Sequence, residues 1–201
     1  MKLPLSYYLQ EDVVEIARDL IGKKLVTNFN GKLTSGIITE TEAYAGETDR
    51  ASHAFGGRRT ERTETMYARG GISYVYLCYG IHHLFNIVTN QKDIPHAVLI
   101  RGILPLDGTE IIQERRKSSL PLHKIAAGPG TLSKALGITT RNNGISLVKA
   151  EIWVESSEIK PIQIKKGARI GVDYAGKDAL LPYRFYVPDP LKMKLLSGFS
   201  E

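Results

Sequence analysis

Residues 74–88 read Tyr74-Val75-Tyr76-Leu77-Cys78-Tyr79-Gly80-Ile81-His82-His83-Leu84-Phe85-Asn86-Ile87-Val88, and this stretch decides the fold class. Two runs rich in β-branched and aromatic residues meet near Tyr79-Gly80, the pattern of a β-hairpin with an aromatic side chain at its tip. Alternation places Tyr74 and Tyr76 on one face. Working outward, strand-like runs lie at 24–29, 36–44, 72–79, 82–90 and 96–104, and again at 145–155, 167–173 and 183–188. Helices are fewer. Residues 11–21 set Val13, Ile16, Ala17, Leu20 and Ile21 on one stripe closed by Gly22. Residues 107–118 read as a helix started by Asp107, and Gly128-Pro129 opens a short helix that Gly137 ends. Short connections between strands favour antiparallel pairing. The expectation is a single α+β domain over residues 1–201, built on an antiparallel or mixed sheet, with the last dozen residues loose.

Composition sets the class of partner. The 201 residues (22.3 kDa) are 42% hydrophobic and 24% charged, ordinary for a globular chain and not for a disordered one. One cysteine, Cys78, excludes an internal disulfide and a cysteine-based zinc cluster. His82 and His83 are adjacent on a strand and point to opposite faces, so no metal site is expected. No apolar run reaches the ~20 residues of a membrane span, and the N-terminus lacks a signal-peptide core. A cytoplasmic protein without membrane contact is expected. Lys and Arg number 27 against 21 Asp and Glu, for a formal charge of +6 and a pI near 9.3. That balance favours an anionic partner such as a phosphate backbone. Between residues 50 and 69, Arg50, Arg58, Arg59, Arg62 and Arg69 face only Glu61 and Glu64.

Three further segments carry chemistry. In Ile38-Thr39-Glu40-Thr41-Glu42-Ala43-Tyr44, a period of two puts Ile38, Glu40, Glu42 and Tyr44 on one face. This is either a solvated edge or a carboxylate beside an aromatic wall. The two glutamates lie about 6.6 Å apart along such a strand, similar to an inverting glycosidase pair, but strand neighbours do not flank a bond from opposite sides. The loop from Asp49 to Arg62 has a Gly56-Gly57 pair among arginines, suited to close approach of phosphates, without the Gly-Lys-Ser/Thr ending of a P-loop. Arg101 shares its strand face with Ala97, Leu99 and Ile103, so its charge needs a partner or a wet cavity. An aromatic at a hairpin tip is hard to bury, and an apolar tip serves as a wedge between base steps.

In chain order, E-T-E-A-Y (40–44), R-A-S-H-A-F-G-G-R-R-T-x-R (50–62), Y-V-Y-L-C-Y-G-I-H-H-L-F-N (74–86) and V-L-I-R (98–101) resemble the alkyladenine (3-methyladenine) DNA glycosylases, which excise damaged purines. The likeness continues through A-G-P-G-T-L-S-K-A-L-G-I, A-R-I-G-V and Y-R-F-Y-V, and so spans nearly the whole chain. The resemblance implies a curved sheet with a DNA-inserting hairpin and a cofactor-free monomer acting on double-stranded DNA, associated with the nucleoid. It implies that Glu42 is the general base for a water attacking the sugar C1′, with Arg101 helping to hold that water or a nearby phosphate and the Ile170 carbonyl completing the water site. Tyr44 and His53 on one side and Tyr76 on the other would sandwich the flipped purine, with Ala51 also in the pocket. Asn86 would exclude normal guanine at the pocket floor. Tyr79 would fill the gap in the duplex with Ile81 and His82 beside it, and Thr60, Arg58 and Arg62 would contact DNA. A DNA-binding protein without catalysis explains the charge and the hairpin, but not Glu42 beside pocket aromatics. A hydrolase of sugars or nucleosides needs a second, opposed carboxylate.

Overall fold

The computed structural model describes residues 1–195. One-turn helix α1 (Leu5–Tyr8) leads to α2 (Val13–Asp19). Asp12 caps α2 by accepting from the N–H groups of Val14 and Glu15 at 2.8 and 3.0 Å. Its buried stripe is Val13, Ile16 and Ala17. Strands β1 (Lys24–Phe29) and β2 (Lys32–Tyr44) form a hairpin through Asn30-Gly31, both at positive φ, as a two-residue turn of matching twist requires. Then come β3 (Ile72–Cys78), β4 (His82–Thr89) and β5 (His96–Pro105), followed by α3 (Thr109–Arg116), α4 (Leu122–Ile125) and α5 (Pro129–Leu136). Short strands β6 (Ile152–Glu155), β7 (Ile159–Pro161), β8 (Lys165–Gly167), β9 (Arg184–Tyr186) and β10 (Met193–Leu195) complete the chain.

The main sheet runs β3-β4-β5-β2-β1-β6, with β9 also on β2 and β8 beyond it. Every pairing among the described residues is antiparallel. The fold is α+β, a curled sheet with α2–α5 on one face. The main core lies between them: Ile16 and Leu20 near α2, Ile112, Ile125, Leu132 and Leu136 from the later helices, and Phe85, Ile87, Val98 and Ile100 from the sheet. The other face carries Tyr74, Ala97, Leu99 and Arg101 toward a cavity roofed by the loops after β2 and β8. No helix among the described residues is long and apolar enough to cross a membrane.

Several expected boundaries move, each for a tertiary reason. Asp107 does not cap α3. It accepts from Ser35 Oγ at 2.6 Å and pairs with Lys24 at 2.9 Å, and Gly108 at φ +66 starts the helix instead. Only the end of the 145–155 run is a strand. Residues 145–147 lie along the open edge of β3, where Ser73 N–H donates to the Ile145 carbonyl and Leu147 N–H to that of Gly71, covering an exposed sheet edge. In 167–173, Gly171 at φ +74 turns the chain into a loop. Of the last dozen residues, 190–192 form a 3-10 turn and β10 pairs with β7; residues 196–201 lie outside the described residues.

Facial alternation also breaks within β2. Its register with β5 shifts between Ile38 and Glu40 and again before Thr41, the mark of a β-bulge. Ile38 and Ile103, expected beside Glu42 and Arg101, therefore turn into the main core, while Glu40, Glu42 and Tyr44 stay together on the far face. Just before the bulge, Gly36 lies between β1 and β5, and a Cβ there would stand 2.7 Å from Ile103 Cδ1 and 2.8 Å from the Leu104 carbonyl oxygen. Gly36→Ala is expected to lower stability by about 1–3 kcal/mol, as overpacking does, read as a reduced urea midpoint at constant slope.

Candidate active site

Glu42 is fully buried, yet it is not isolated. Its Oε1 accepts from the Ile170 N–H at 2.8 Å, and its Oε2 accepts from Tyr44 Oη–H at 2.9 Å. Arg101 Nη1 lies 3.3 Å from the same Oε2, while Arg101 Nε donates to Glu40 Oε1 at 2.9 Å. Glu40 also takes Arg184 Nε at 2.6 Å. The two glutamates thus share one guanidinium from the same side and do not oppose each other across a substrate. Burial holds the Glu42 carboxyl above the usual carboxylate range, against the pull of Arg101, the Ile170 amide and the Tyr44 hydroxyl. Ile170 thus meets Glu42 through its backbone N–H.

Tyr44, Arg101 and Ile170, the partners of Glu42, all line a cavity of about 390 Å³, within the range of small-molecule sites. Part of its lining is aromatic. His53 packs edge-to-face on Tyr76 with centroids 4.7 Å apart, and its Nδ1 lies 3.0 Å from Tyr74 Oη. Tyr74 and Tyr76 are 5.4 Å apart. His53 is thus in edge contact with Tyr76, a contact that the expected sandwich would have to part. Burial, then Arg62 and Arg58, push the His53 pKa down to about 4, so the imidazole is neutral at neutral pH.

The remaining expected residues divide. Asn86 is buried in the lining, its Nδ2 donating to the Tyr74 carbonyl at 3.1 Å, and Ala51 lines the cavity beside it. Arg62, expected on phosphate, stands with its guanidinium 4.9 Å over the Tyr76 ring at the cavity. Thr60 is exposed, and its backbone N–H donates to Thr63 Oγ1 at 2.8 Å. Arg59 is engaged by Glu64 and Asp93, whereas no carboxylate pairs with Arg58 or Arg62 among the described residues. Tyr79, at φ +51 beside Gly80 at φ +73, is 91% exposed at the hairpin tip. Ile81 protrudes with it, and His82 lies against Gly130 at the start of α5.

Sequence reasoning passed over Asp49, Arg169 and Tyr174. Tyr174 lines the cavity and donates to the Ala51 carbonyl at 3.1 Å. Arg169 and Asp49 form a buried ion pair behind Tyr44. Both charges lie within quoted motifs, and the one available signal was an arginine in an otherwise apolar run, the same signal that singled out Arg101.

With this geometry in view, the family model for methylpurine-DNA glycosylase (MPG) matches residues 7–190. The chain belongs to that family. Proteins named "Putative 3-methyladenine DNA glycosylase" are similar to it over most of their lengths. That of Chlamydia felis (strain Fe/C-56) is 47% identical over 184 residues, covering 91% of this chain and 94% of the relative. That of Clostridium perfringens (strain 13 / Type A) is 43% identical over 199 residues, covering 94% and 97%. Members of the methylpurine-DNA glycosylase family are hydrolases of N-glycosyl bonds in the repair of alkylated DNA, and this chain is such an enzyme with DNA as its substrate.

The charges around His53 can be tested directly. Arg62→Ala removes a cation that disfavours the imidazolium, so the His53 pKa should rise from about 4, as followed by NMR titration of the ring protons. An unchanged value would mean that Arg62 does not contribute to the shift.

Proposed function

We propose that this family member flips damaged purines from duplex DNA and hydrolyses the glycosidic bond with a water activated by Glu42. Supporting it most is the bonding of the Glu42 carboxylate. Oε2 accepts from the Tyr44 hydroxyl and faces the Arg101 guanidinium, while Oε1 carries a single bond from Ile170. A carboxylate oxygen accepts two bonds, so Oε1 keeps a lone pair to take a proton from water. Before that proton is taken up, the anionic carboxylate steadies positive charge developing at C1′. A purine extruded into the cavity would meet Tyr44, Tyr76 and His53, whose π faces suit an alkylated, cationic base. The target cannot be reached inside the stack, and extrusion costs a few kcal/mol. An exposed Tyr79 filling the vacancy offsets part of that cost.

The leaving group divides the substrates. A 3-methyladenine or 7-methylguanine nucleotide is already cationic and departs as a neutral base. Hypoxanthine and ethenoadenine need a proton on the departing side. Among the described residues no lysine lines the cavity, which supports hydrolysis without a Schiff base and hence no strand cleavage.

Glu42→Gln should lower single-turnover excision by at least about 10² while lesion-duplex binding persists; a wild-type rate would remove Glu42 from the reaction. Because activity needs the carboxylate and its pKa is raised, excision should fall as pH drops through a value above the usual carboxylate range. Neutral lesions should add an alkaline limb that 7-methylguanine lacks, and one shared alkaline limb for both would refute the leaving-group argument. Tyr79→Ser should weaken processing of an intact duplex far more than of a single-stranded lesion. Equal losses on the two substrates would remove the wedge role.

A further inference from the structure

One buried ion pair touches several sides of the site without entering the chemistry above. The side chains of Arg169 and Asp49 are 0% and 2% exposed. Arg169 engages both Asp49 oxygens, Nη2 at 2.8 Å, and donates from Nη1 to the Ala43 carbonyl at 3.0 Å and from Nη2 to that of Asp178 at 3.1 Å. Its guanidinium lies 4.9 Å from the centroid of the Tyr44 ring and 5.3 Å from that of Tyr183. Asp49 in turn accepts from the N–H groups of Ala45 and Ala51, both at 3.0 Å. The pair therefore fastens the end of β2, the loop leading to His53, and the loop bearing Ile170 and Tyr174.

Stability is a weak reason for such a pair, because desolvating both ions offsets much of their attraction. Its position points elsewhere. Two hydrogen bonds converge on Glu42 from this direction, one from the hydroxyl of the ring that Arg169 covers and one from the amide of the residue that follows Arg169. We propose that Arg169, held by Asp49, is the positioning residue for Glu42: it fixes the Tyr44 ring and the Ile170 amide so that both donors aim the carboxylate. The proposal rests on Glu42 as the general base. Arg169 acts through these two donors and makes no hydrogen bond to Glu42 itself.

The charged and titratable groups facing Glu42 are Arg101 from β5, Glu40 and Tyr44 from β2, and Arg169 and Tyr174 from the loop after β8. Arg169→Lys leaves the other groups in place and keeps the positive charge, but removes the planar fork that spans Asp49, Ala43 and Asp178. Misplacing the carboxylate by about 1 Å should cost about a hundredfold in single-turnover excision of 7-methylguanine. Loosened donors also stabilise the carboxylate less, so the acid limb of the pH–rate profile should move to higher pH. A purely structural loss would lower the rate and leave the limb where it was. In a Glu42→Gln background, Arg169→Lys should add little further loss, because its effect acts through the carboxylate.

Asp49→Glu, which keeps the negative charge but displaces the carboxylate that holds Arg169, is measured in parallel, with thermal melts of every variant, and should move the same limb in the same direction. If Arg169→Lys fails to fold, the Asp49→Glu profile decides. A limb that stays put in the folded variants, or losses that add fully to those of Glu42→Gln, would overturn the positioning role alone. Wild-type excision by Glu42→Gln would overturn the general-base reading and this proposal with it.

Discussion

The site depends on a slip in register. Between Ile38 and Thr41 the pairing of β2 with β5 shifts, so one strand serves two surfaces. Its earlier part buries Ile38 in the main core, and its later part turns Glu40, Glu42 and Tyr44 to the opposite face. On β5 the same break separates Ile103, in the core, from Arg101, at the cavity. A regular strand would place Ile38 and Ile103 among the site's charges. The bulge lets a 13-residue strand anchor the helices at one end and hold a buried carboxylate at the other.

That carboxylate is tolerable only because of what surrounds it. An unpaired buried charge is prohibitively costly, and Glu42 answers with an arginine, a hydroxyl and a main-chain amide drawn from three separate segments. Glu40 acts as a counterweight, binding both Arg101 and Arg184 and so holding Arg101 against its neighbour. Arginine suits these places because its fork engages several acceptors at once and stays charged when buried. Arg101 spans two carboxylates, and Arg169 spans a carboxylate and two carbonyls.

The surface shows a different economy of charge. The loop between β2 and β3 is rich in arginine, yet its cations have separate uses: Arg59 is paired with carboxylates and Arg62 lies over an aromatic ring of the cavity. The hairpin reaches past this loop with Tyr79 in a left-handed conformation that residues other than glycine seldom adopt. Tyr79 and Ile81 are left largely in solvent there, where a stacking surface would cover them.

How much of this was legible in the chain depends on range. The first strand at 24–29, the hairpin at Tyr79-Gly80 and the helix from Pro129 to Gly137 are written in local patterns, because periodicity, turn glycines and a proline at a first helical turn act over a few residues. Family motifs likewise drew attention to Glu42, Tyr44, His53 and Tyr76, since their residue types stand in contiguous segments. Other features arise only when distant segments meet. Asp107, a plausible cap by sequence, is claimed by Ser35 and Lys24 across the sheet. Ile170 reaches Glu42 from 128 positions away, and Arg169 reaches Asp49 from 120. Sequence determined the elements and the reactive side chains. Tertiary structure decided which face each side chain takes and which charge neutralises it, because a bulge changes facing without changing composition and a buried ion chooses the partner that packing brings within reach.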